Sequence, residues 1–207
     1  MSNPFALDLR NEINTRFSVD SINMSYSDWV CKNTTLKAAP FNFKRFPFQK
    51  AIVDDLHPNL HVIKISQVGL TETQIRKAAA FCARNRGVTV LMTFPNEPMM
   101  KKNSQTRVMP IIENDRVFNL SGGKPIRSVD IQQIGDSYLM VVPATEGSAT
   151  STPADFVMVD EVDLSNQQMV GLLGSRMQAS SFRIMQQFST PTFENFGIHQ
   201  GYSTTDQ

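Results

Sequence analysis

A phosphate-binding loop is indicated by the stretch KISQVGLTET, residues 64–73, which separates a short apolar run from a helix-like segment. Backbone N–H groups of such a loop, together with the first turn of the following helix, can hold phosphate oxygens. Gly69 permits close approach of the backbone, and Thr71 stands where a Ser/Thr ligand of Mg²⁺ belongs. The usual lysine next to that ligand is missing, because Leu70 takes its place.

We predict that Lys64, at the opposite end of the loop, supplies the missing cation near the β- and γ-phosphates. Its long side chain could fold back over the loop from the end of the preceding strand. The loop residues predicted to surround the nucleotide phosphates are Lys64, Ser66, Gln67, Val68, Gly69, Leu70 and Thr71. The alternative is that Gly69 only makes a turn and that Lys64 is a solvated lysine at the end of a strand.

A second chemical motif follows further along the chain, where FVMVDEVD at residues 156–163 reads as a buried strand that ends in acids. This is the pattern of a Walker B strand. Asp160 is predicted to hold Mg²⁺, directly or through water, and Glu161 to orient and deprotonate the attacking water. Glu161 and Lys64 are therefore the predicted catalytic residues, and we expect their two strands to lie side by side. A strand that ends in solvated acids is the alternative.

Two further segments carry polar side chains that could join this site. Gln49 follows Pro47 at the start of a predicted helix, and its amide could read the adenine edge as donor and acceptor at once. Ser189, Thr190 and Thr192, in the stretch FSTPT at the end of a later strand, could contact the γ-phosphate or sense its loss. The alternatives are a surface glutamine on an amphipathic helix and a simple turn.

The elements that must position these groups alternate along the chain. Predicted strands cover residues 61–66, 88–95, 156–163 and 181–192, with a hairpin over 129–145 that turns at Gly135-Asp136. Predicted helices cover residues 71–86, 97–113 and 166–180. This alternation predicts an α/β fold with a mostly parallel central sheet and helices on both faces.

The domain organisation is predicted from the polar composition of the first 40 residues and of the segment after FSTPT. Residues 1–40 are polar and are predicted to form a leader arm with a short helix around residues 8–16, followed by one domain over residues 41–207. Nothing after the FSTPT stretch is predicted to pack as a final element, so the chain is interpreted as a possible fragment. A net charge of +1 gives no global signature of nucleic-acid binding, and no apolar stretch reaches the ~20 residues of a membrane span.

Four segments, taken together and in order, resemble the N-terminal ATPase domain of large terminase subunits, the DNA-packaging motors of tailed bacteriophages. They are RFPFQKAIVDDLHP, KISQVGLTET, FVMVDEVD and FSTPT. The similarity is closest to the lambda-type family, whose loop also begins with lysine in a Lys-x-x-x-Val-Gly-x-[Ser/Thr] pattern. Lys64, Val68, Gly69 and Thr71 match that pattern, and the resemblance covers residues 27–205.

The resemblance implies an ASCE-type P-loop NTPase fold that hydrolyses ATP with Mg²⁺ and couples hydrolysis to translocation of double-stranded DNA into a procapsid. The implied partners are double-stranded DNA, the small terminase subunit, the portal of the procapsid and further copies of the chain in a ring. No membrane is involved, and the implied location is the host cytoplasm. The family's C-terminal nuclease domain is predicted to be absent from this chain, which shows no acidic nuclease cluster.

One feature departs from the family. Several terminases carry an arginine shortly before the Walker B strand, which serves the active site of a neighbouring subunit, whereas residues 143–159 here contain no Arg or Lys. Arg107, Arg127 and Arg176 are candidate replacements. Two other functions remain as alternatives: a helicase-like nucleic-acid ATPase, and a nucleotide-binding assembly module without turnover. Glu161 argues against the second, because a site that only binds does not need an acid to activate water.

Overall fold

The computed structural model describes residues 23–119, 124–145, 147 and 152–205. Within these ranges the search for a helix that is long and apolar enough to span a membrane finds none. The short helix predicted around residues 8–16 lies outside the described residues.

A six-stranded sheet forms the centre of the molecule. Its strands are β3 (Asn59–Ile63), β4 (Thr89–Phe94), β5 (Ile131–Ile134), β6 (Ser137–Pro143), β7 (Phe156–Asp160) and β8 (Ile184–Ser189), while β1 (Thr35–Leu36) and β2 (Ala39–Pro40) pair separately. The strand order is β3-β8-β7-β4-β6-β5, and all neighbours are parallel except β5 and β6. The antiparallel pair is the predicted hairpin, which turns at Gly135 in a left-handed conformation (φ +61°). The mostly parallel sheet is therefore confirmed.

The prediction that the phosphate-loop strand and the Walker B strand lie side by side is wrong. The strand β8, which precedes the FSTPT stretch, is inserted between β3 and β7 and pairs in parallel with both. Any contact between Lys64 and the acids after β7 must therefore reach across the end of β8. The long, flexible lysine side chain can make this span.

Helices cover both faces of the sheet, as predicted. They are α1 (Tyr26–Asn33), α2 (Gln49–Asp54), α3 (Leu70–Arg84), α4 (Glu97–Asn103), α5 (Met109–Asn114), α6 (Gln167–Leu173) and α7 (Gly197–Thr205), with a π-helical turn at Ser104–Val108 that joins α4 to α5. Short 3-10 turns lie at Arg116–Phe118, Val162–Leu164 and Gly174–Met177. The helix α3 starts after Gly69, carries Glu72 in its first turn and ends with Arg84 in its last, so both charges interact favourably with the helix dipole.

Two apolar cores lie on opposite faces of the sheet. The larger contains side chains of α1, α2, α3, α5 and alternate strand residues such as Val90, Met92, Phe156 and Met158. The smaller contains the intervening strand residues, together with side chains of α6, the Gly174–Met177 turn and α7. Residues 78–80 of α3 are three alanines, all fully buried, and both α1 and α2 pack against this helix.

Two predictions about the ends of the chain are wrong. The part of the predicted leader arm that forms α1 belongs to the domain core, where Trp29 is 2% exposed and packs against Phe118. A final element is also present, because α7 covers the edge strand β3 and the smaller core with the fully buried Ile198. A single buried apolar residue in a polar stretch is too weak a pattern to predict such a helix.

Candidate nucleotide-binding site

The predicted phosphate loop turns sharply between β3 and α3. Lys64 still pairs with the neighbouring strand, since its backbone N–H donates to Ser189 O at 2.9 Å. Two loop residues adopt left-handed conformations, Gln67 with φ +63° and Gly69 with φ +73°. Such conformations turn successive backbone N–H groups toward one side, which makes a concave site for an anion. At Gly69 a Cβ atom would meet nothing closer than 3.9 Å, so glycine is favoured there by its φ angle.

A cleft of about 650 Å³ opens above this loop. The loop and the first turn of α3 form one wall, and Asp160 and Glu161 lie at its base. The opposite wall comes from α4 and the π-helical turn, which contribute Met99, Lys102 and Arg107. A volume of this size is typical of sites for small molecules and cofactors. All predicted loop residues line the cleft, from Lys64 through Thr71.

Two side chains from separate elements, those of Lys64 and Thr71, contact Asp160, which is 3% exposed at the end of β7. Lys64 Nζ donates to Asp160 Oδ1 at 2.7 Å and lies 2.8 Å from Glu161 Oε1. Thr71 Oγ1 donates to Asp160 Oδ2 at 2.6 Å. Burial alone lowers the pKa of Lys64, but the charges and hydrogen bonds of the two carboxylates outweigh burial, so that its pKa is raised. Lys64 is therefore a buried, charged ammonium and not a solvated lysine.

The same atoms fit a magnesium site. A threonine hydroxyl and an aspartate carboxylate are oxygen ligands that Mg²⁺ accepts, and this ion is commonly held by one or two carboxylates plus substrate phosphates and water. Within the described ranges, no group of three or more His, Cys, Asp or Glu side chains could hold a metal ion. A site that completes its coordination with phosphate oxygens is consistent with that finding. Because Asp160 Oδ1 already binds Lys64, a cation bound at Asp160 would compete with this ammonium.

Glu161 has an unusual backbone for a residue with a side chain. Its φ and ψ are +54° and +54°, in the left-handed region that glutamate rarely adopts. The conformation places its carboxylate at the base of the cleft, where Oε1 pairs with Lys64. Strain of this kind, about 1–3 kcal/mol, persists only where the surrounding structure enforces it, and it is common in active sites. The turn that follows, Val162–Leu164, is closed by a hydrogen bond from Leu164 N to Glu161 O at 3.0 Å.

Gln49 has a different environment from the predicted one. It is 3% exposed and does not line the cleft. Its Nε2 donates to Val68 O at 2.6 Å, and its Oε1 accepts from Thr73 Oγ1 at 2.7 Å. Both ends of the amide are therefore engaged, and Gln49 braces the phosphate loop against α3. Its reading of adenine stays a prediction, which would require both of these bonds to break.

The predicted coupling residues also lie outside the cleft lining. Ser189 Oγ accepts from Asp163 N at 3.1 Å, and Thr192 donates to Asp163 Oδ2 through its N at 2.8 Å and its Oγ1 at 3.0 Å. Thr190 is partly exposed beside them. Direct contact with the γ-phosphate is thus not supported by this geometry. Asp163, which connects these residues to the Walker B strand, was missed, although it is the last acid of the FVMVDEVD pattern.

The three candidate arginines are placed very differently. Arg107 is exposed on the π-helical turn and lines the cleft opposite the phosphate loop. Arg127 instead donates to Phe118 O at 3.2 Å and Asn119 Oδ1 at 3.0 Å, next to the β5–β6 hairpin. Arg176 lies in the Gly174–Met177 turn, on the face of the smaller core. Of the three, Arg107 faces the predicted phosphates, together with Lys102, which the sequence patterns did not single out.

Comparisons with known proteins agree with this geometry. A family model described as phage terminase large subunit gpA, ATPase domain, matches residues 36–207. No curated protein matches the chain. The large terminase of bacteriophage HK97 has the same fold, with a TM-score of 0.65 at 8% identity over 84% of this chain and 39% of that chain.

Two further solved structures share the fold. The ATPase domain of the Thermus phage P74-26 large terminase gives a TM-score of 0.60 at 13% identity, covering 74% of this chain and 66% of that one. The large terminase of a thermophilic bacteriophage gives 0.50 at 14% identity, covering 82% and 39%. These likenesses establish that the chain shares the α/β fold of these terminase structures, and the chain spans 39% of the HK97 protein. By its match to the family model, the chain belongs to the gpA family of phage terminase large subunit ATPase domains.

Proposed function

We propose that this chain binds ATP with Mg²⁺ in the cleft and hydrolyses it. The observation that carries the proposal is one cluster of contacts of 2.6–2.8 Å, in which Lys64 and Thr71 bind Asp160 and Lys64 also pairs with Glu161. ATP hydrolysis requires a phosphate loop, a pair of metal ligands and a general base. In this proposal the three parts meet at one edge of the sheet. Neither the loop nor the acids alone would distinguish this function from nucleotide binding without turnover.

In this proposal Lys64 has two successive sets of partners. Without nucleotide it neutralises Asp160 and Glu161, which would otherwise repel each other at the base of the cleft. Thr71 and Asp160 would hold Mg²⁺, which offsets charge on the β- and γ-phosphates when it is bound. An ion held by Asp160 would replace Lys64 there, and the Lys64 ammonium could then reach phosphate oxygens held by the loop. The relocated lysine thus performs the role of the residue that Leu70 replaces.

Glu161 is the proposed general base. Its release from Lys64 leaves a carboxylate at the base of the cleft that can orient a water molecule and accept its proton. Leu70 also lines the cleft, but it is 2% exposed, packs in the larger core and carries no charge, so it cannot supply the cation.

Arg107 and Lys102 are proposed to bind phosphate oxygens from the opposite wall. Among the described residues that line the cleft, the one other cation is Lys64, which is already paired with Asp160 and Glu161. The exposed pair on α4 and the π-helical turn therefore supplies the available positive charge. A π-helical turn of this kind often marks a functional site. An arginine that reaches the transferring phosphoryl group can increase the rate of hydrolysis by ~10³–10⁵-fold.

The wider role follows from the family. We propose that hydrolysis is coupled to translocation of double-stranded DNA into a procapsid, in the host cytoplasm. The partners are the small terminase subunit, the portal and further copies of the chain in a ring, and the nuclease activity belongs to another part of the packaging enzyme. Family membership favours this role over a helicase or an assembly module without turnover.

Phosphate release with ATP and Mg²⁺ tests the proposed function. We expect wild-type protein to release phosphate, and the Glu161→Gln variant to bind ATP without releasing it. ATP that binds to wild-type protein without any turnover, in the presence of DNA and at concentrations that promote assembly, would favour the assembly module. Unwinding of a duplex, measured in the same solution, would favour the helicase.

A further inference from the structure

Asp163 connects the predicted catalytic strand to the C-terminal helix. It is 7% exposed, in the turn that follows Glu161. Its carboxylate accepts from Thr192 N and Thr192 Oγ1 through Oδ2, and from Ile198 N through Oδ1 at 2.9 Å. Its own N–H donates to Ser189 Oγ at 3.1 Å. One buried carboxylate thus connects the end of β7, the end of β8 and the first turn of α7.

The junction between Asp163 and α7 is sterically tight. Gly197 has φ +54°, and a Cβ atom there would lie 2.5 Å from Asp163 Oδ1 and 3.2 Å from Asp163 Cα. A side chain at position 197 is therefore incompatible with the present position of Asp163. The next residue, Ile198, is fully buried in the smaller core. Displacement of Asp163 should consequently displace the N-terminal turn of α7, because Asp163 binds Ile198 N and packs tightly against Gly197.

Asp163 is also connected to Lys64 by two routes. Along the chain, it lies two residues after Glu161, which pairs with Lys64 Nζ. Across the sheet, its N–H binds Ser189 Oγ, and Ser189 O accepts from Lys64 N at 2.9 Å. Lys64, Glu161, Asp163 and Ser189 therefore form a closed circuit. Among the described residues Asp163 has backbone N–H groups and a hydroxyl as partners and no ion pair, so its position follows the backbone that surrounds it.

We propose that Asp163 is a positioning residue that transmits the state of the nucleotide site to α7. The inference rests on the proposed function, because it assigns a consequence to the exchange of partners by Lys64. When Lys64 leaves Glu161, the left-handed backbone at Glu161 is free to relax, and the Val162–Leu164 turn moves with it. Asp163 then pulls Thr192 and the first turn of α7. The coupling residues thus respond to the catalytic glutamate through Asp163, without touching a phosphate themselves.

The test measures α7 directly by hydrogen–deuterium exchange of its backbone amides, with and without a non-hydrolysable ATP analogue. In wild-type protein we expect the analogue to change the exchange rates of residues 198–204 by at least fivefold. In Asp163→Asn, which keeps the shape but replaces one acceptor oxygen by a donor, the analogue should bind within about twofold of wild-type affinity. The exchange response of α7 should be lost, and kcat should fall at least tenfold with KM unchanged.

Two further variants separate transmission from simple structural support. Asp155→Asn alters a carboxylate at the opposite end of the same strand, which accepts from Thr89 N at 2.8 Å and Ser180 Oγ at 2.6 Å. This control should lower thermal stability and leave the α7 response intact. Gly197→Ala displaces Asp163 from the other side, and should lose the response although the carboxylate is retained. It also serves as the decisive variant if Asp163→Asn fails to fold.

The outcomes distinguish the two proposals. If wild-type protein binds no nucleotide, the proposed function fails and this inference fails with it. If the analogue binds and α7 does not respond in wild-type protein, only the transmission by Asp163 is overturned. The same conclusion follows if α7 responds in Asp163→Asn and Gly197→Ala as it does in wild-type protein.

Discussion

Two buried lysines, Lys64 at the start of the phosphate loop and Lys77 in α3, have different kinds of partners. The side chain of Lys64 is 7% exposed and contacts two carboxylates at the base of the cleft. Lys77 belongs to α3 and is fully buried, and its Nζ donates to Ile52 O at 2.7 Å, Asp55 O at 2.6 Å and Gln186 Oε1 at 2.7 Å. The pKa of Lys64 is raised, whereas burial lowers the pKa of Lys77 to about 7.

The difference shows what makes a buried charge suitable for function. The partners of Lys77 are two main-chain carbonyls at the end of α2 and one amide from β8, which cannot be exchanged without unfolding these elements. The partners of Lys64 are side-chain carboxylates that a metal ion and a water molecule can take over, and its ammonium borders an open cleft. Lys77 therefore holds α2, α3 and β8 together, while Lys64 is positioned to change partners during a reaction.

The largest expected loss of ATP turnover comes from changing Glu161, one of the two carboxylates that pair with Lys64. Glu161→Gln keeps the size and polarity of the side chain but cannot accept a proton from water. We expect turnover to fall by ~10²–10⁴, with ATP affinity close to that of wild-type protein. The matched control is Glu97→Gln, which removes an exposed carboxylate paired with Lys101 at 2.6 Å on α4. Unchanged phosphate release by Glu161→Gln would remove this residue from the role of base.

A smaller effect, on ATP affinity, is expected at Thr71, whose side chain also binds Asp160. Thr71→Ala removes the hydroxyl that lies 2.6 Å from Asp160 Oδ2. We expect affinity for ATP to fall roughly 10–100-fold with Mg²⁺ present, and little without it, because the lost group is a metal ligand. Thr71→Ser should restore most of the affinity. Equal losses with and without Mg²⁺, measured by calorimetry, would assign Thr71 a purely structural role in the first turn of α3.

The smallest change in turnover is expected for Lys77→Met, which replaces the ammonium with an apolar side chain of similar length. Turnover at 25 °C should stay within about twofold of wild-type protein. At about pH 10, where the contribution of Lys77 is nearly complete, the free energy of unfolding should fall by about 1–3 kcal/mol, because Ile52 O, Asp55 O and Gln186 Oε1 lose their donor. A selective loss of turnover with unchanged stability would contradict the division between the two lysines.

The pH dependence of stability separates the lysines further. The pKa of Lys77 is about 7 in the folded protein and close to 10.4 in an unfolded chain, so between these values the unfolded state binds the additional proton. The contribution of Lys77 to stability is therefore complete above about pH 10.4 and is lost as the pH falls toward 7. The slope should reach about 1.4 kcal/mol per pH unit. Denaturant titrations should show this slope in wild-type protein and in the exposed control Lys101→Met, and a reduced slope in Lys77→Met.

Local patterns were sufficient to predict the elements and most of the cleft. The alternation of apolar runs with helical segments predicted the parallel sheet, and the positions of Gly69 and Thr71 predicted a loop followed by α3. The acids Asp160 and Glu161 were predicted at the C-terminal end of a buried strand, where β7 places them. Each of these features depends on residues that are close in the sequence.

Features that depend on distant contacts were not predictable in the same way. The insertion of β8 between β3 and β7 is a choice of pairing that the composition of a strand does not encode. The bonds from Gln49 to Val68 and Thr73 arise only after α2 has packed beside the loop. Similarly, α7 is polar apart from a few residues, and its position depends on Ile198 and on Asp163, which caps its first turn from another element.

The central claim is that Lys64 replaces the lysine that Leu70 displaces from the loop, and ATP turnover by Lys64→Ala tests it most directly. If Lys64 stabilises charge on the β- and γ-phosphates in a cleft that excludes water, its removal should lower kcat by ~10²–10³. The substitution leaves the buried Asp160 carboxylate without its ammonium, so circular dichroism must first confirm that the variant is folded. Turnover by folded Lys64→Ala at the wild-type rate would contradict the account.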